Sequence, residues 1–252
     1  IRCARGAVGE ALERAGGFDL VGSAPLRCGL VGGITHGALR HIEKLLSSVL
    51  DEGIQFASAT HFPLTTLNAA AGQVSIAYGI RGCNTTFCGA GAALHYATRL
   101  VQDGRQDRAV AFGADELSPT ALSLIERAGL AGPGEPAPGE AAGAVVLERL
   151  GAARARGATV MGLVAGVACA QGDAAPRLAL AQAGLAPQEV AAIVLASPAT
   201  RPAGLAALFG DDFPPTASAA TVAGSSPSAL LPLNLLAGLE ILRRGTVPPP
   251  AP

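Results

Sequence analysis

The side chains able to carry nucleophilic or acid–base chemistry are few in this chain, and they are unevenly placed. All four histidines (His36, His41, His61 and His95) and the one lysine, Lys44, lie within residues 1–95. Residues 96–252 contain neither type, so an imidazole or ammonium cluster drawn from that stretch is excluded without any alignment. Five cysteines, Cys3, Cys28, Cys83, Cys88 and Cys169, form no C-x-x-C pair. Their odd number and wide spacing argue against a disulfide framework and against a zinc site, and fit a reducing cytoplasm. Cys88 stands between Phe87 and Gly89; a lone cysteine so flanked reads more readily as a small packing residue than as a nucleophile. Cys3, Cys28, Cys83 and Cys169 read as packing residues, and His95, beside Tyr96, as a packed or hydrogen-bonded one. His36 and His61 fall at element edges, where solvation explains them. Asp115 and Glu116 could pass for paired carboxylates, but neighbours on a strand point to opposite faces. The glycine pairs at 32–33 and 89/91 lack the G-x-G-x-x-G spacing of a dinucleotide site.

These residues must be held by a scaffold of small side chains. Glycine (33) and proline (18) are abundant, hydrophobic residues reach 50%, and 18 basic against 19 acidic residues give a net charge of −1. Such a composition is globular rather than disordered, and without a basic block it does not suit nucleic acid. No apolar run is long enough to span a bilayer, and the absence of an initiating methionine at Ile1 suggests that the amino terminus is incomplete. Short apolar runs predict strands at Cys28–Gly33, Arg108–Phe112, Ala144–Leu147, Gly162–Cys169 and Ala192–Leu195, and Asn84–Phe87 reads as a buried strand. Helical spacing predicts helices over 37–50, 63–78, 91–102, 176–184, 203–208 and 228–242. A Pro/Gly-rich loop is expected over 129–139. Strands alternating with helices imply an α/β protein with a mainly parallel sheet covered on both faces, in two βα-rich halves, 1–160 and 161–252.

Five stretches, taken in order, resemble the β-ketoacyl synthase family. They are the run from Asn68 to Gly82, Ala93-Leu-His-Tyr-Ala97, and Gly104-x-x-Asp107 with the strand to Glu116. The remaining two are Gly139-Glu-Ala-Ala-Gly-Ala-Val-Val-Leu-Glu148 and Gly224 through the closing Arg244-Gly-Thr-Val-Pro-Pro249. The resemblance implies a thiolase-like fold, layered αβαβα with mixed, mainly parallel sheets, trimmed relative to a full ketosynthase. It also implies a chemistry to compare against. Decarboxylating condensation needs a cysteine thiolate carrying the acyl chain, with histidine donors for the developing oxyanion and a supporting lysine.

On that resemblance the positions are degenerate. Ala196 stands for the first histidine, Ala220 for the lysine and Ser225 for the second histidine; counted from Ala93, Phe87 stands for the cysteine, whereas counted from Gly91, Cys88 does. The family contains catalytically silent siblings, chain-length factors, that pair with a catalytic ketosynthase and wall off its acyl tunnel. The matching implications here are tunnel-side positions Thr66, Leu67, Ala70 and Ala71, and a pairing strand Asn84, Thr85, Thr86 and Phe87. The expected role is a non-catalytic subunit in type II polyketide, polyene or fatty-acid-like biosynthesis. It would have no cofactor or metal of its own. An acyl carrier protein and its phosphopantetheine would engage only through the partner, and neither nucleic acid nor membrane would be bound. The competing expectation is a stand-alone acyltransferase or condensing enzyme that uses Cys88, with Asn234 or Ser225 as donor.

Overall fold

The computed structural model describes residues 1–132, 135–170, 174–198 and 202–247. In the first half, α1 (Arg2–Ala15) and the short α2 (Asp19–Gly22) precede β1 (Cys28–Gly33). Next come α3 (Leu39–Glu52), α4 (Ala69–Tyr78), β2 (Asn84–Phe87), α5 (Ala90–Gln102), β3 (Arg108–Asp115), α6 (Pro119–Arg127), β4 (Ala141–Glu148) and α7 (Leu150–Ala155). The second half adds α8 (Ala174–Ala183), β5 (Ile193–Val194), α9 (Ala203–Phe209), β6 (Thr216–Ala217), α10 (Ala220–Ala223) and α11 (Leu230–Arg244).

The main sheet has the order β2-β1-β3-β4. β1 runs parallel to both β2 and β3, and β4 closes the sheet antiparallel to β3 in full register from Arg108↔Glu148 to Asp115↔Ala141. Strand alternation divides the core into two. Leu30, Val110 and Phe112 point to the face covered by α1 and α4, where Val8, Leu12 and Val74 meet them. Val31, Ala109 and Ala111 point to the face covered by α5, against Ala93, Ala97 and Leu100. A strand buried on both faces carries an unbroken apolar run, which is why β1 and β3 were readable as such. Burial pushes the Cys28 thiol up to about 11, so it stays protonated and packs as a small apolar group.

Small side chains let the layers approach closely. A Cβ at Gly113 would collide with the Ser228 carbonyl, so the loop before α11 lies directly on β3. Gly33 likewise faces the first residue of α5, Ala90, with no room for a side chain.

Two expectations are corrected. The helix expected from Pro63 begins at Ala69; Phe62–Leu64 is a single 3₁₀ turn and 65–68 a turn, so Thr66 and Leu67 precede α4 rather than ride on it. Pro63 starts that turn, and the chain then breaks before the small-residue run can propagate. The strand expected over Gly162–Cys169 does not form: its backbone is irregular, and Leu163 stands 66% exposed. Its valines and leucine supply strand propensity but no paired neighbour, and pairing is what makes a strand. Helices α1, α6 and α7 were not anticipated. Pro133 and Gly134 of the expected loop, Ala199 and Thr200 of the Leu195–Thr200 run, and Pro248 and Pro249 of the closing run lie outside the described residues.

Candidate functional site

The carboxyl ends of β1 and β3, the starts of α1, α3 and α4 and the turn just before α4 line a cavity of about 300 Å³. Ile34 continues from β1; Arg40 and His41 come from the start of α3; Ala114, Asp115 and Glu116 come from the end of β3. Thr66, Leu67 and Ala70 form the opposite side. Thr66 and Leu67 are exposed and Ala70 is half-buried, so all three can meet something beyond this chain. Ala71 cannot. Its side chain is completely buried in the core beside Val74, which removes it from the expected tunnel-side set.

The cavity's polar floor is built around Asp115. Its Oδ2 accepts from the Ser228 backbone N–H at 2.7 Å and from Ser226 Oγ at 3.2 Å. Its Oδ1 lies 2.8 Å from Ser228 Oγ and 3.4 Å from the backbone nitrogens of Thr35 and His36. Ser228 Oγ also lies 2.8 Å from Thr35 Oγ1. One buried carboxylate thereby ties the segment after β1, the end of β3 and the segment before α11. Glu116 turns outward to pair with Arg40 at 2.8 Å. The two carboxylates serve different partners and do not form a catalytic pair.

The positions that the resemblance matches to the family's catalytic residues are spread around this frame. β2 ends at Phe87, whose half-buried ring packs against Tyr96 with centroids 5.4 Å apart. Cys88 follows, exposed, immediately before Gly89 caps α5. Ala196 is exposed, whereas Ala220 is buried at the start of α10. Ser225 is stitched by its backbone to the strand-like segment before β4: its N–H donates to Ala137 O at 2.7 Å and its carbonyl accepts from Gly139 at 3.0 Å. Asn234, the other proposed donor, spends its amide on structure. Oδ1 accepts from Ala219 N–H at 2.8 Å and Nδ2 donates to Leu195 O at 2.9 Å, fixing the segments on which Ala220 and Ala196 sit. Asn84 is exposed, and Thr85 and Thr86 are half-buried, on a strand that occupies the edge of the sheet. Among the described residues, no group of three or more His, Cys, Asp or Glu side chains is placed to hold a metal ion. No helix among them is long and apolar enough to cross a membrane.

The family model for the N-terminal domain of β-ketoacyl synthases matches residues 1–153. The chain belongs to the β-ketoacyl synthase family. Nodulation protein E of Rhizobium sp. (strain N33) is 30% identical over 193 residues, which cover 65% of this chain and 48% of that protein. The chain thus spans about half the length of this curated relative. Among solved structures, the ishigamide ketosynthase/chain length factor superposes with a TM-score of 0.78 at 23% identity, covering 89% of this chain and 64% of that one. A type II PKS acyl-carrier protein in complex with its ketosynthase bound to the hexaketide gives 0.78 at 18% identity, over 97% and 74%. A β-ketoacyl synthase from Burkholderia phymatum STM815 gives 0.74 at 21% identity, over 96% and 71%. At these identities the likeness is one of fold. The fold is the α/β thiolase-like one, with a mixed, mainly parallel central sheet between helices.

Proposed function

We propose that this chain is a non-catalytic, chain-length-factor-like subunit that pairs with a catalytic ketosynthase and limits product length by shape. The system would be of the type II polyketide, polyene or fatty-acid-like kind, in the cytoplasm. The observation that carries this reading is the meeting of Thr66, Leu67 and Ala70 around one cavity, at the positions the family resemblance assigns to the tunnel wall. The losses at Ala196, Ala220 and Ser225 support it. A condensing site needs charged or polar donors there, and methyl groups and a hydroxyl cannot replace imidazole and ammonium.

Two surface features support a partner. β2 is an edge strand, so the backbone of Asn84, Thr85, Thr86 and Phe87 has one side free for another strand. Leu46, Leu50, Ile54, Phe56 and Phe62, on α3 and the turns packed against it, are all more than half exposed. An apolar surface of that kind marks an interaction face. The phosphopantetheine of an acyl carrier protein would then enter through the ketosynthase, and this chain would need no cofactor of its own.

One observation favours the alternative, a stand-alone acyltransferase. Cys88 is exposed just before the N-terminus of α5, where an acyl thioester could reach its sulfur. Co-expression separates the two. The chain is expected to co-purify with a ketosynthase encoded beside it. Alone, it is expected to show no condensation of malonyl- and acyl-carrier thioesters above a Cys88→Ala control. Turnover by the isolated chain that Cys88→Ala abolishes would establish the alternative instead.

A further inference from the structure

His41 Nδ1 and His61 Nδ1 lie 3.0 Å apart, their ring centroids 5.2 Å apart and their planes tilted by 45°. His41 is in the first turn of α3 and lines the cavity; His61 immediately precedes the Phe62–Leu64 turn that leads to Thr66 and Leu67. Otherwise the segment rests on α3 through two short turns that bury little. The 3₁₀ turns Ile54–Phe56 and Phe62–Leu64 bury none of their residues, and Phe62 is 68% exposed. Ser58 N–H is tied to Ser48 Oγ at 3.3 Å, which anchors the near end only. A segment with few buried contacts opens at low cost.

The geometry points to a positioning pair: the His41–His61 contact fastens the 59–67 segment to α3 while at least one ring is neutral, and releases it when both are protonated. A neutral Nδ1 can accept the other ring's N–H, but two imidazolium rings offer two donors and no acceptor, with like charges face to face. The charges around His41 are Lys44 one turn along α3, the amino group of Ile1, and Glu116, itself paired with Arg40. The two 3₁₀ turns packed on α3 bring no ionisable side chain, and α6 brings Glu126 and Arg127 in its last turn. Burial, then His61, hold the His41 imidazole below its ordinary value of 6.5. A folded-state value below the unfolded one means that the contact's stabilisation is complete above the unfolded value. It is lost as pH falls from there through the depressed one.

Backbone amide exchange of the full chain, corrected for intrinsic rates, tests the fastening near pH 8 and near pH 5.5. Protection over 59–67 is expected to drop severalfold on acidification, with about tenfold as the ceiling, and β3 and α5 unaffected. His61→Asn, which keeps a neutral amide that does not titrate, is expected to flatten that dependence. Equal protection at both pH values, or an unflattened dependence in His61→Asn, overturns the proposal. The effect on product length rests on the tunnel-wall reading. If the segment responds to pH while the pair's products do not, the fastening stands and the wall reading fails.

Discussion

Asp115→Ala is expected to destabilise the chain by about 3–4 kcal/mol, lowering its melting temperature by roughly 10 °C. The carboxylate is buried and sits where three segments converge, and Ser226 and Ser228, which bond to it, are themselves completely buried. Alanine leaves the buried Ser228 N–H and the buried Ser226 hydroxyl without their acceptor, and Ser228 Oγ with Thr35 Oγ1 alone. Each unsatisfied buried group costs on the order of 1–3 kcal/mol. Asp115→Asn retains one acceptor oxygen and should lose about half as much. Chemical denaturation of the wild type and both variants measures the difference. A loss below about 1 kcal/mol for alanine would mean that the carboxylate is not what joins these segments.

Ala70→Phe is expected to shorten the product of the assembled pair by at least one two-carbon unit. Ala70 is half-buried on the cavity wall beside Leu67, where an added ring removes volume that the growing chain would otherwise fill. Overpacking costs about 1–3 kcal/mol, so size-exclusion of the pair must accompany mass spectrometry of the product. Leu67→Ala is expected to act oppositely, lengthening the product. Ala71→Phe is the control. Its site lies in the core rather than on the wall, so it should reduce folding without a graded change in length. Unchanged length from an intact complex, for Phe at both Thr66 and Ala70, would show that this wall does not set the limit.

How much of this was legible follows from how far apart the interacting residues lie. β1, β3 and β4 were readable because each carries a short apolar run stopped by glycine or charge, a local property; β2 forms where expected but at the sheet edge, with Asn84 exposed and the rest half-buried rather than buried. The absence of histidine and lysine from residues 96–252 was readable by counting. The Asp115 network was not: alternation correctly turned Asp115 and Glu116 to different faces, but the partners of Asp115 are 80 and 113 residues away. The start of α4 was misjudged because small residues continue without a break through Thr65–Asn68, where the chain in fact turns. That six-residue error moves Thr66 and Leu67 from a helix to the turn before it. The failed strand at Gly162–Cys169 shows the reverse limit: propensity was present and a pairing neighbour was not. The cavity itself combines residues from α1 to Glu140, and no local pattern announces it.

The central claim is that this chain shapes a reaction that it does not perform. The most direct test is the condensation rate of the purified ketosynthase pair carrying Cys88→Ala in this chain alone. A rate within about twofold of the unmodified pair is expected, because residues 96–252 hold no histidine or lysine to serve beside Cys88 as donors. A loss on the order of a thousandfold, with the heterodimer intact by size-exclusion, would contradict it and make Cys88 the acyl-carrying nucleophile.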